Sequence, residues 1–385
     1  MRFSVDAHAI GQHLTGNETY IRNLLQGFAA LDHDADFVTY LSRQPSREDL
    51  PDRFHKHRVS VNPFVRLGFD IPRRLREDRP DLLHVQYTAP VFCSTPIVVS
   101  VHDVSFLEHP EYFTPFRALQ LRCTVRRTVK AAARVLTVTE FSKRSILAAY
   151  ALPEEKVTVL ANGVSGDFRP IAREVAQRAL RASRGIEAPF ILTVGDLQPR
   201  KNHLGLIRAF EQLITAHPQL PHHLVVVGKA TWHSPAILAA ARKSSVGSRI
   251  HFTGFVSDEE LRQLYGACEL FVYPSFYEGF GLPILEAMAS GRAVACSSTS
   301  GMPEVADSAA LLFDPHSVAD MVLAMRDLLL NPELRMRMER LGTQRATMFS
   351  WDRTAARTLD VYYEVAGNSN RAPAPVKKRA SAALP

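Results

Sequence analysis

Short apolar runs alternate with amphipathic stretches along the whole chain. In the first half, Arg2–Val5, Asp36–Leu41, Val59–Val61, Leu82–Val85, Pro96–Val101, Val135–Val138 and Val157–Leu160 read as strands. Helical spacing falls between them, at Glu18–Leu31, Phe116–Ala133 and Ser142–Tyr150. In the second half, strands are expected at Phe190–Val194, His223–Val227, Ile250–Phe252, Leu270–Tyr273, Ala293–Ala295 and Ala310–Phe313. Helices are expected at His203–His217, Asp258–Ala267, Pro283–Ser290 and Ser317–Leu330. Strands that alternate with helices imply an α/β chain with parallel sheets covered on both faces.

A chain of 385 residues is long for one hydrophobic core, so two domains are expected. The turn Asn162-Gly163-Val164 and the break at Arg169-Pro170 put the boundary between Asn162 and Pro189, ahead of or within a charged helix at Ala172–Ser183. The expected layout is residues 1–168, residues 169–350, a last helix at 351–366 and a disordered basic tail at 367–385.

Composition narrows the class only a little. Hydrophobic content of 46% with 22% charged residues is ordinary for a soluble globular protein. A net charge of +7 suits a phosphorylated substrate, an anionic membrane or nucleic acid alike. Cys93, Cys123, Cys268 and Cys296 are far apart and lack metal-site spacing, which fits a reduced compartment. The opening Arg2-Phe3-Ser4-Val5-Asp6 reads as a strand without a signal-peptide core, and no apolar run reaches about 18 residues. A cytoplasmic location, possible at a membrane face, is expected.

The densest chemistry lies at Tyr273-Pro274-Ser275-Phe276-Tyr277-Glu278-Gly279-Phe280-Gly281-Leu282-Pro283-Ile284-Leu285-Glu286. A buried strand leads into a turn, and Pro283 suits the first turn of the helix that follows. The N–H groups near Phe280, Gly281 and Leu282 then form an anion site, with Glu278 on one side and Glu286 about one helical turn inside. A ligand with hydroxyls at both ends and phosphate between them, a nucleotide-sugar, fits that arrangement. A solvated Glu278 and a helix-stabilising Glu286 in an ordinary loop is the plainer alternative. Upstream, Val194-Gly195-Asp196-Leu197-Gln198-Pro199-Arg200-Lys201-Asn202 sets two cations between a strand and a helix, where they are able to grip a diphosphate.

These strings resemble the E-x7-E and G-x-L-x-P-R-K-N elements of retaining glycosyltransferases of family 4. With the full string in register, the ligand site is favoured over the ordinary loop. The resemblance runs from about Ser4 to Tyr363 and takes in Thr137–Ser142, Asn162–Val164, Gly254–Ser257 and Pro303–Val305. It implies the GT-B fold: two Rossmann-like domains facing across a cleft, with the C-terminal helix crossing back to the N-terminal domain. It also implies catalytic roles for His102, Glu278, Arg200 and Lys201. Donor contacts are implied for Gly16, Phe255, Val256, Gly279, Phe280, Gly281, Leu282 and Glu286. His102 would face the donor sugar, and Asp103 would orient His102 or shape the acceptor side. Asp196 stands where some relatives carry Arg, and Asn17-Glu18-Thr19-Tyr20 departs from the family's Gly-Arg-Tyr pattern.

The string His102–Phe113 looks like that of bacterial mannosyltransferases of polysaccharide and O-antigen assembly, which makes GDP-mannose the first donor candidate. No cofactor, bound metal or nucleic acid is expected. The acceptor would be a glycan or a lipid-linked saccharide. A noncatalytic nucleotide-sugar-binding subunit and a GT-B epimerase or phosphorylase are the alternatives, whereas a nicotinamide dehydrogenase lacks its early Gly-x-Gly-x-x-Gly. Finally, Arg122, Arg126, Arg127, Lys130 and Arg134 are expected on one helix face opposite Leu121, Val125 and Val129. That face is either solvated or in contact with anionic lipid.

Overall fold

The computed structural model describes residues 1–12, 15–31, 33–43, 50 and 52–367. His13 and Leu14 of the first loop, and the expected tail from residue 368 onward, lie outside the described residues. The chain separates into two units, Met1–Gly163 with the residues from Ser350 onward, and Val164–Phe349. Residues 164–168, expected with the first domain, thus belong to the second unit.

In the first unit, β1 (Arg2–Asp6), β2 (Asp36–Leu41), β3 (His55–Arg58), β4 (Leu82–Gln86), β5 (Ile97–Ser100), β6 (Arg134–Thr137) and β7 (Val157–Val159) form one parallel sheet. Its order is β3-β2-β1-β4-β5-β6-β7. The inner strands are apolar throughout because both faces are covered. Ile71, Leu75, Val125, Val129 and Ile146 pack with Val85, Val99 and Val135 in one core cluster. Elsewhere in the unit, the helices Thr15–Ala30 and Trp351–Val365 lie against each other. Phe3 meets Tyr362 edge-on at 5.2 Å, and Phe28 stacks on Phe37 at 4.8 Å. A Cβ at Gly27 would stand 2.6 Å from that of Ala355, so glycine lets the two helices approach. The last helix therefore does return to the N-terminal unit.

The second unit carries β8 (Phe190–Val194), β9 (His223–Val227), β10 (Ile250–Gly254), β11 (Leu270–Tyr273), β12 (Ala293–Ser297) and β13 (Leu311–Phe313), all parallel. Their order is β10-β9-β8-β11-β12-β13. The chain winds from β8 to β10 on one side, then returns to lay β11 beside β8. That reversal makes a topological switch point, where loops leave the neighbouring strand ends in opposite directions. In the first unit the reversal falls between β1 and β4.

Some expectations shift. The expected strand Val59–Val61 is displaced to the polar segment His55–Arg58, an edge strand whose pairing with β2 demands backbone bonds and little burial. The helices Pro63–Val65, Ile71–Asp78 and Pro332–Ala346 were not marked by apolar spacing. The basic face is smaller than expected. Arg122, Arg126 and Lys130 are exposed on the helix Pro115–Ala131. Arg127 turns inward to donate to the Ala89 carbonyl, and Arg134 has left the helix for β6, where it pairs with Glu364.

Candidate functional site

Two loops leave the carboxyl ends of β8 and β11, on either side of the second unit's switch point. The first, Gly195–Asn202, ends in a short 3-10 turn at Pro199–Lys201. Asn202 takes a left-handed conformation (φ 53°), and its side chain accepts from the Gly205 N–H and donates to the Pro315 carbonyl. The loop is also pinned from behind. Gly228 comes so close that a Cβ there would lie 2.0 Å from the Gly195 oxygen. Asp196, the departure from the family pattern, accepts the Lys229 N–H at 3.1 Å. Its carboxylate thus fastens one loop to the next.

The second loop brings Glu278 to Arg200 and Lys201. Arg200 Nη1 lies 2.6 Å from Glu278 Oε2, and Lys201 Nζ lies 2.7 Å from Glu278 Oε1. Arg200 also donates to the Tyr277 carbonyl, and Lys201 to the Tyr273 hydroxyl at 2.7 Å. The Glu278 backbone is clamped in turn. Its N–H donates to Ser300 Oγ, and its carbonyl accepts from the Gly301 N–H. Burial by itself would raise the Glu278 pKa, but Arg200 and Lys201 outweigh it and bring it down to about 2. Burial pulls the Lys201 pKa down, while Glu278 opposes that shift. Two cations around one carboxylate leave a net positive charge among three largely buried side chains.

Gly281 (φ 105°) opens the helix Leu282–Ala289. In its first turn Pro283 has no N–H and the Ile284 N–H donates to the Gly281 carbonyl at 3.0 Å, so an anion there would meet the positive end of the helix dipole rather than a row of free N–H groups. Glu286 lies inside this helix and accepts from the Tyr265 hydroxyl at 2.9 Å. Phe280 and Val256 are buried, whereas Phe255 is exposed with Lys229 Nζ 5.1 Å from its ring centroid. The structure therefore joins Arg200, Lys201 and Glu278 directly. Tyr273, Ser300, Gly301, Gly228 and Asn202 hold that cluster; Tyr273 and Asn202 stand in the quoted strings without an assigned role, and Ser300, Gly301 and Gly228 were not marked, since serine and glycine at strand ends carry no distinctive spacing.

In the first unit, His102 follows β5. Gln86 donates its amide N–H to the Asn17 carbonyl at 3.2 Å, which turns its oxygen towards His102 Nε2 at 3.0 Å. That makes Nε2 the protonated nitrogen and leaves Nδ1 as an acceptor. Tyr20 packs edge-on against the imidazole at 4.6 Å, and Tyr87 (φ 60°) at 5.6 Å. Burial drives the His102 pKa down to about 4, so the ring stays neutral near pH 7. Asp103 does not orient this ring. Its carboxylate accepts from the Ser105 N–H and hydroxyl at the start of the helix Ser105–Glu108. Gly16 sits within the first turn of its helix rather than ahead of it, and Gly11 (φ 76°) takes the left-handed conformation instead.

Comparison with known proteins agrees with this architecture. The model for glycosyl transferases group 1 matches residues 177–345, and that for glycosyltransferase family 4 matches residues 14–168. The chain is 31% identical to the O-antigen chain mannosyltransferase B of Escherichia coli, over 69% of each chain. It is 29% identical to a D-inositol 3-phosphate glycosyltransferase of Streptomyces avermitilis, over 90% of this chain and 82% of that protein. Its fold matches the crystal structure of WaaG, a glycosyltransferase involved in lipopolysaccharide biosynthesis, with a TM-score of 0.75 and 19% identity over 94% of this chain and 99% of the other. The chain belongs to the family 4 glycosyltransferases of GT-B fold and is a nucleotide-sugar-dependent glycosyltransferase.

Proposed function

We propose that the protein is a retaining, metal-independent hexosyltransferase. In this reading it moves mannose from GDP-mannose to a glycan or lipid-linked saccharide in polysaccharide assembly. The Arg200–Lys201–Glu278 cluster at the switch point is the observation that carries it. Breaking a glycosyl–phosphate bond leaves negative charge on the departing diphosphate and positive charge on the sugar. Arg200, Lys201 and the first turn at Gly281 are arranged to receive the first charge, and Glu278 to face the second. Two fixed cations supply what a divalent ion supplies elsewhere, which supports metal independence. Retention is supported by the match of the Glu278–Glu286 string to the retaining members, and mannose by the name of the Escherichia coli relative.

Glu286 is read as accepting from the donor ribose, oriented by Tyr265. Phe255 and Val256 are read as lining the base, and Gly16 as lying near the phosphates. His102, neutral with Nδ1 as an acceptor, is read as meeting a sugar hydroxyl. A lipid-linked acceptor would put the enzyme at a membrane face.

Glu278→Gln tests this directly. Turnover with GDP-mannose should fall by about a hundredfold or more. Affinity for the nucleoside diphosphate should hold or rise, because Arg200 and Lys201 lose the carboxylate that neutralises them. Parental turnover would remove Glu278 from the chemistry. Activity should survive EDTA; loss that Mg²⁺ restores would overturn metal independence. An inverted anomer in the product would overturn retention.

A further inference from the structure

The returning helix of the first unit does more than fill a core. Trp351 and Tyr362 stand roughly three turns apart on one face of the helix Trp351–Val365, and both are buried. Trp351 packs edge-on against the Tyr20 ring at 6.0 Å. Tyr362 reaches the same ring through a row of hydrogen bonds. Its hydroxyl bonds His84 Nδ1, His84 Nε2 lies 2.7 Å from Ser100 Oγ, and Ser100 Oγ lies 2.8 Å from the Tyr20 hydroxyl. His84 belongs to β4 and Ser100 ends β5, so the row runs along the sheet towards the strand end that His102 follows. Water hardly reaches it: Tyr362 and His84 are 0% exposed, Ser100 1% and Tyr20 3%.

Such a row is costly in a core, since phenylalanine and leucine side chains would fill similar space and bury no polar atom. It is also ordered from end to end. Burial holds the His84 pKa down at about 3, so the imidazole is neutral and carries one N–H. Ser100 likewise has one proton to give. With no proton stranded between them, the bonds all run in one sense, from Tyr362 towards Tyr20 or back. Loss of the Tyr362 hydroxyl leaves Nδ1 buried without a partner and removes that order. His102 needs what this row supplies. Its bond to Gln86 fixes Nε2 but lets the ring turn about the Nε2···Oε1 line. The plane of the ring is set by the edge-on contacts with Tyr20 at 4.6 Å and Tyr87 at 5.6 Å. That plane decides where the Nδ1 lone pair points, and a hydrogen bond weakens steeply away from its line. Ser100 backs both rings, because its carbonyl accepts the Tyr87 N–H at 3.0 Å while its hydroxyl bonds Tyr20.

We propose that Tyr362 and His84 are positioning residues for His102: through Ser100 they hold the Tyr20 ring, which sets the plane in which His102 Nδ1 accepts. This rests on the reading of His102 as a sugar contact, so one arm of the test needs no turnover. The full-length protein is labelled in its histidines for NMR. The His102 ring-proton shifts, governed by the neighbouring aromatic rings, should move in Tyr362→Phe, which keeps the ring and loses only the hydroxyl. They should stay in Leu359→Ala, which empties a buried position of the same helix away from the row. In steady-state release of GDP from GDP-mannose, Tyr362→Phe, Tyr20→Phe and His84→Leu should each lower kcat about tenfold and leave KM unchanged. Tyr362→Phe combined with Tyr20→Phe should cost no more than either alone, because both break one row. His84→Gln, which keeps one acceptor and one donor, should recover most of the loss. Leu359→Ala should lower the thermal midpoint and keep kcat. Unmoved shifts in Tyr362→Phe, or the same loss of kcat in Leu359→Ala, would overturn the proposal. Parental turnover in His102→Ala would overturn the sugar reading alone, while moved shifts would still show the ring held by the row.

Discussion

Glu278 is one carboxylate shared by two cations, and this sets how the site answers to acid. An unperturbed glutamate titrates near 4.5, and Glu278 does so at about 2. The folded state therefore holds its charge more tightly than the unfolded chain does. The stabilisation is in place above 4.5 and is lost as pH falls towards 2. Urea unfolding of the parent should lose stability through that window, with a smaller loss in Glu278→Gln. Parallel curves would show that the pairing contributes nothing. His102 responds to acid in the same sense, because burial lowers its pKa to about 4 and the fold resists its protonation too. Gln86→Glu sets a carboxylate beside Nε2 and should raise the His102 pKa from about 4. An imidazolium has no acceptor nitrogen, so the acid limb of the rate profile should move to higher pH. Gln86→Leu should lower turnover about tenfold without that movement. If the limb stays put in Gln86→Glu, Gln86 is a packing residue and no more.

Between strands and helices, the active geometry is held by glycines that the backbone crowds. Gly301 donates its N–H to the Glu278 carbonyl, and a Cβ there would stand 2.3 Å from the Gly279 oxygen. Its own φ of −78° suits any residue, so the cost of Gly301→Ala is steric alone. The substitution should push back the Glu278 turn, destabilise the second unit by about 1–3 kcal/mol and weaken nucleoside diphosphate binding. Calorimetry and thermal unfolding read both effects. Affinity equal to the parent's would mean that the turn tolerates displacement. The loop carrying Arg200 has a similar backing in Gly228, so both loops of the candidate site are set by close backbone approach as well as by their own side chains.

Each unit has its own core, yet the first is completed by the end of the chain. The helix Trp351–Val365 buries Trp351, Leu359 and Tyr362, each worth about 1.5–3 kcal/mol of burial. Tyr362 also bonds His84, which bonds Ser100, which bonds Tyr20, the ring packed on His102. Gly163 meets the same helix, since a Cβ there would lie 2.1 Å from the Trp351 nitrogen. Ending the chain at Phe349 should therefore strip the first unit of most of its stability while the second stays folded. Limited proteolysis should cut the first unit and spare residues 164–349. Equal resistance of both units would make the returning helix dispensable.

Much of this was legible along the chain. Apolar runs buried on both faces leave no ambiguity about parallel strands, and those of the second unit fall where the pattern puts them. The strings around Lys201 and Glu278 announce their chemistry because charged residues at strand ends, next to glycine and proline, are locally unusual. Polar elements were hidden: the edge strand His55–Arg58 rests on backbone pairing, which has no side-chain period. Asp103, expected to orient His102 or shape the acceptor side, fastens a helix start, and Asp196, a departure from the family pattern with no role assigned from sequence, fastens a neighbouring loop. Their partners arise from local turns and from a distant strand end, so spacing could not separate the two roles. The strand order alone brings β8 beside β11, and with it Arg200 and Lys201 onto Glu278. Charge pairing across such sequence distance, and the burial that turns it into a shifted pKa, exist only once the sheet has closed around it.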